Sequence, residues 1–84
     1  MDLTYQCFLR DNYHCRHCND TRNLHSHHVI YRSQQGSDEL NNRLTLCAQC
    51  HRAHHDGKLL IAIISVGENN LVVKFTRMKG WKPQ

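Results

Sequence analysis

Asn42-Arg43-Leu44-Thr45-Leu46-Cys47-Ala48-Gln49-Cys50-His51-Arg52-Ala53-His54-His55 is the stretch on which the reading of this chain turns. Within fourteen residues it sets an asparagine, a short β-prone run, a Cys-x-x-Cys pair and three histidines. Working outward, Cys15-Arg16-His17-Cys18 repeats the cysteine spacing with 28 residues between the pairs, and His27-His28 stands inside that interval. Six of the eight histidines fall between residues 25 and 55, a density that packing alone does not require. The pattern points to two metal sites, one holding the fold and one doing chemistry.

The cysteines define the first site. Two intervening residues let both sulfurs of a tight turn face one ion while backbone amides support the thiolates. Cys15, Cys18, Cys47 and Cys50 are therefore expected to form a tetrahedral structural Zn2+ site. His14 and His17 are expected to be solvent-facing neighbours, and Cys7 a small buried apolar residue. An 84-residue chain also needs such a staple, because it can bury only roughly 60–65% of its surface and a core alone is marginal. Five cysteines is an odd number, no signal-peptide pattern opens the chain, and no apolar run reaches the ~20 residues of a membrane span. These features favour a cytoplasmic, reducing compartment, metal over disulfide, and no membrane.

The formal charge is +4. Four zinc-bound thiolates and their ion contribute about −2, which brings the protein to about +2, and a second divalent ion on neutral histidines restores about +4. Modest positive charge fits a nucleic-acid partner without identifying one.

The periodicities give a small α+β fold. Asp2 to Asp11 is a short helix expected to cover the zinc knuckle with Phe8 and Tyr13. Leu24–Tyr31 reads as a strand with His25 and His27 on one face and His28 on the other. For His27 and His28 to serve one site, His28 must lie near a strand end or bulge, with the following loop wrapping back over it. Arg32 to Asn42 is that loop, and Leu44–Leu46 is an antiparallel return strand. A helix over Ala48–Asp56, stopped by Gly57, places His51 and His55 at i and i+4, about 5–6 Å apart at Cβ, with His54 angled away. Leu59–Val66, a turn at residues 67–70 and Leu71–Arg77 form a β-hairpin, followed by a tail in which Trp81 caps an apolar surface. The expected organisation is one domain over residues 1–84: a zinc-framed core at 10–57, a hairpin at 58–77 and a tail at 78–84.

Arg10 through Cys18, Ser26-His27-His28-Val29-Ile30, Gly36-Ser37-Asp38, Asn42, Leu46 through His51 and His55-Asp56-Gly57 together resemble an HNH nuclease, of the kind whose ββα-metal motif is framed by a four-cysteine zinc site. The resemblance covers about residues 10 to 60. It implies that His28 is the general base, that Asn42 braces the loop, and that His27, His51 and His55 hold a catalytic divalent ion. It implies a double-stranded DNA substrate and products with a 5′ phosphate and a 3′ hydroxyl.

The chemistry is sound on its own terms. Phosphodiester hydrolysis needs an activated water and stabilisation of charge on the phosphoryl and leaving oxygens. A neutral imidazole is a suitable base near pH 7. Imidazole ligation suits Zn2+, Ni2+ or Mn2+ better than Mg2+, although open positions keep Mg2+ in contention. Arg32, Arg43 and Arg52 are the candidate phosphate donors. Two competing readings use the same residues: a zinc-ribbon-like nucleic-acid-binding module without cleavage activity, and a regulatory zinc protein. The apolar character of both faces of Leu59–Val66 adds one further expectation, a homodimer through the 59–77 hairpin.

Overall fold

The computed structural model describes residues 2–30 and 34–83. A helix, α1 (Leu3–Arg10), precedes β1 (Leu24–His28), a 3-10 turn at Leu40–Asn42, β2 (Arg43–Cys47) and α2 (Ala48–His55), and β3 (Leu59–Val66) and β4 (Leu71–Arg77) follow. The described residues make a small α+β fold with two α-helices and two antiparallel two-stranded sheets. β1, β2 and α2 in succession make the expected ββα order.

Each boundary has a local cause. Asp2 caps α1, its carboxylate accepting from Thr4 N–H at 2.7 Å. Cys47 caps α2 with its sulfur, which accepts from Cys50 N–H at 3.5 Å, so the second cysteine knuckle is also the first turn of the helix. α2 stops where Gly57 takes a φ of +75°. Lys58 N–H then bonds Ala53 C=O and Gly57 N–H bonds His54 C=O, the paired bonds of a Schellman cap.

Pairing in the first sheet runs from Leu24 opposite Cys47 to His28 opposite Arg43. Strand alternation gives it two different faces. Ser26, Arg43 and Thr45 look toward α1, where Cys7 Sγ lies 3.4 Å from Thr45 Oγ1 and Arg43 reaches Ser26 Oγ at 3.0 Å. His25 and His27 look toward α2, as does the buried Leu46. β1 ends at His28, and Val29 and Ile30 turn away from the strand. The strand is thus shorter than the apolar pattern through Tyr31 implied, and Tyr31 itself lies outside the described residues.

Asp11 is the knot between these parts. Its carboxylate takes a bidentate pair from Arg10 at 2.9 Å, a third bond from Arg16 at 2.9 Å and Thr45 N–H at 3.0 Å. Burial alone would raise its pKa, but the Arg10 and Thr45 hydrogen bonds and the Arg10 and Arg16 charges prevail and hold it low. Arg10 also donates to Leu40 and Arg43 carbonyls, and Arg16 donates to Leu71 C=O at 2.7 Å. One buried carboxylate therefore joins α1, the first knuckle, β2 and β4.

The core lies around the cysteines: Cys15, Leu46, Cys47, Cys50, Ala53 and Leu59 are buried together, with Leu24, Ile61, Phe75 and Trp81 packed against them. The hairpin and tail thus cover the knuckles. Phe8 and Tyr13, expected in that role, pair with each other at 5.9 Å instead, because α1 is held over β2 by Cys7 and Asp11. In the second sheet a bulge between Ile63 and Ser65 shifts the register, which sets Val66 opposite Leu71. The face of the hairpin away from the core leaves Leu60 46%, Ile64 64% and Val72 46% exposed. No helix among the described residues is long and apolar enough to cross a membrane.

Candidate active site and metal centres

The first knuckle folds back on itself through Asn19, whose N–H bonds Cys15 C=O at 3.0 Å from a left-handed conformation of φ +66°. The second knuckle is the start of α2. Together they bring the sulfurs of Cys15, Cys18, Cys47 and Cys50 within 4.8 Å of one another. Four thiolates on a tetrahedral ion, at about 2.3 Å each, stand about 3.8 Å apart. Cys18 and Cys47 sulfurs are 3.6 Å apart, far beyond a disulfide and close to that spacing. Burial first, and then the neighbouring sulfurs, push the Cys18 thiol up to about 11 and the Cys50 thiol higher still. Burial opposes ionisation of Cys15 as well, but the backbone amides of Cys18, Cys47 and His17 bring it below the usual thiol value. Four sulfurs so placed could hold one cation, and the all-sulfur set fits zinc.

His17 belongs to this centre. Its Nδ1 lies 3.3 Å from Cys50 Sγ and its Nε2 accepts from Arg77 Nε at 3.0 Å. Phe75 and Trp81 hold the ring at centroid distances of 5.0 and 5.7 Å. The solvent-facing role expected of it fails because the hairpin and tail close over the knuckle. Sequence spacing carried no signal of this, since the contacts reach across about sixty residues.

On the α2 face of the first sheet the imidazoles form a row. His27 is 4% exposed, and its ring centre lies 4.8 Å from that of His51 and 4.9 Å from that of His54. Burial first, then His51, His54 and His28, push His27 down to about 4, so it is neutral at pH 7, the form that ligates metal. Burial and neighbouring histidines also lower His51. His54 Nδ1 donates to Leu59 C=O at 2.9 Å, which leaves Nε2 as the basic nitrogen facing the row. His55, at the helical position expected to face the ion, has a side chain 82% exposed and lies 3.7 Å from Asp56. His54, expected to angle away, is the helix histidine packed against His27. The row is more open than the sulfur cluster, which is the only set of three or more His, Cys, Asp or Glu side chains among the described residues to converge within 4.8 Å.

His28 sits one residue beyond, at the strand end, and the loop comes back to it. Its Nε2 is 2.7 Å from Asp38 Oδ1, an oxygen that also accepts from Arg43 at 2.7 Å. The His28 bond first and then Arg43 hold the Asp38 carboxyl below its ordinary value. Asn42 fixes the loop in this returned position. Its side chain donates to Ile30 C=O at 3.0 Å and Ser37 C=O at 2.7 Å and accepts from Ile30 N–H at 3.0 Å. Its backbone C=O accepts from Val29 N–H.

The three candidate arginines part company. Arg43, with a side chain 9% exposed, bonds Asp38 and Ser26 from its place opposite His28 in β2. Arg52 is exposed beside Asp56. Arg32 lies outside the described residues.

The family model of the HNH endonuclease matches residues 15–57. The chain is 38% identical over 60 residues to a protein named Anaredoxin from Nostoc sp., covering 71% of this chain and 70% of that one. No solved structure matches. With the match spanning both cysteine knuckles, the histidine doublet, Asn42 and α2, the chain belongs to the HNH endonuclease family.

Proposed function

We propose that the chain is a metal-dependent endonuclease that hydrolyses phosphodiester bonds of double-stranded DNA. The observation that carries this reading is the His28–Asp38 bond, held by Asn42 at the end of β1, one residue after His27. With Nε2–H donated to Asp38, His28 presents Nδ1 as its basic nitrogen. That nitrogen removes a proton from water as the oxygen attacks phosphorus, and the 3′ oxygen departs. Asp38 orients the ring and stabilises the imidazolium that forms, while Arg43 keeps Asp38 ionised.

His27, His51 and a helix histidine would hold the divalent ion, His55 by family position and His54 by its packing here. A bound ion supplies Lewis-acid stabilisation of charge on the phosphoryl and leaving oxygens. Arg52, exposed beside Asp56, would take a flanking phosphate. Residues 10–57 then act as the catalytic core, and the hairpin at 58–77 buttresses the zinc knuckles. Its exposed apolar outer face is the surface through which two copies would pair, a step that sedimentation velocity at micromolar concentration reads directly.

Nicking of a supercoiled plasmid tests the activity. Cleavage should require added divalent metal, stop with EDTA and be lost in His28→Ala. DNA binding with no cleavage under any metal would favour the binding-module reading instead.

A further inference from the structure

His25 is absent from the ligand set the sequence gives, yet its ring nitrogen meets that of His51 directly. Its Nδ1 is 2.9 Å from His51 Nδ1, with the rings 5.1 Å apart at 81°. β1 puts it on the same face as His27, two residues earlier, and α2 brings His51 across that face. With one ring as the Nδ1–H tautomer the contact is a hydrogen bond, and with both Nδ1 lone pairs turned inward it is a seat for a cation. Nitrogens bound to one ion at about 2.0–2.1 Å stand about 3.0 Å apart in octahedral and about 3.4 Å apart in tetrahedral geometry. The observed separation is near the first. The pair opens into a depression of about 470 Å³ that Arg52, His55 and Asp56 also line, so a third imidazole and a carboxylate paired with Arg52 stand at its edge.

We propose that His25 and His51 jointly ligate a first-row transition ion at this depression, with His55 and Asp56 on its rim. The inference rests on the reading of His51 as an ion ligand and adds to it a residue and a selectivity. A set led by imidazole nitrogens prefers Co2+, Ni2+ or Zn2+ to Mg2+, which favours oxygen ligands and keeps its waters. His25 is exposed, so its removal disturbs little packing.

The test is a Co2+ titration of protein whose cysteine site is saturated with zinc, followed by calorimetry and by visible absorption. The wild-type chain should take one Co2+ without a thiolate charge-transfer band. His25→Ala should weaken that binding about tenfold or more while keeping its cysteine zinc and its circular dichroism. In wild-type protein the His25 ring protons should show large paramagnetic NMR shifts when Co2+ is added. Unchanged affinity in His25→Ala, together with loss in His51→Ala, would overturn the His25 assignment and leave the ion at His51 standing. A wild-type chain that takes no second ion would overturn both.

Discussion

Replacing Asn42 with Ala removes three side-chain hydrogen bonds, two donated to Ile30 and Ser37 carbonyls and one accepted from Ile30 N–H. The residue is only 6% exposed, so solvent does not restore them without the loop opening. At about 1 kcal/mol each the loss is about 3 kcal/mol. It falls on the segment that returns Asp38 to His28, because the 3-10 turn and β2 have their own backbone bonds. If that free energy measures closure of the loop, the competent population drops about 100-fold, and single-turnover plasmid cleavage drops with it. The histidine row is held by β1 and α2, so affinity for the second ion should change by less than about twofold. Hydrogen exchange supplies an independent reading, with the Ile30 amide losing protection while Thr45 keeps its own. Asn41, whose side chain makes one exposed bond to Gly67 C=O, is the control and should tolerate Ala. Cleavage by Asn42→Ala within about threefold of wild type would refute the bracing argument.

Cys50→Ser should release the structural zinc and unfold most of the chain, because the sulfurs lie at the centre of the core; circular dichroism and bound-zinc assay read this, and a folded variant with stoichiometric zinc would contradict it. Asp38→Asn keeps an acceptor for His28 but removes the charge that supports the imidazolium, so cleavage should fall about tenfold or more with metal affinity intact. His27 gives a pH signature when the histidine row holds no ion. Its folded pKa of about 4 lies below the unfolded value of about 6.5, so the unfolded chain takes the proton first and stability falls as pH drops through that window. Urea midpoints at pH 7, 6, 5 and 4 should fall in order, and His27→Gln should flatten the trend.

What the sequence revealed was set by short spacings. Two Cys-x-x-Cys pairs fix a turn geometry within four residues, and Gly57 after an amphipathic run stops a helix by its own backbone freedom. Those features, and the ββα order they bracket, were readable because each is decided locally. The Asp11 hub was not, since Arg10, Arg16 and Thr45 meet it only after α1 has docked on β2. Arg43 looks like any surface arginine in sequence, and only its pairing opposite His28 buries it. His54 and His55 stand three and four residues after His51, and both spacings share a helix face. Leu59 at the start of β3, whose carbonyl takes His54 Nδ1–H, decides which of them packs on His27. The bulge at Ile63/Ser65 was likewise invisible in an unbroken apolar run.

Cleavage and metal content measured on the same preparations test most directly whether this chain cuts DNA with His28 as base and His51 as an ion ligand. Wild-type protein should carry two ions per chain and nick plasmid DNA. His28→Ala should keep both ions and lose cleavage, and His51→Ala should keep only the cysteine-bound zinc and lose cleavage. A wild-type chain that binds DNA with one ion and never cuts it would contradict the account.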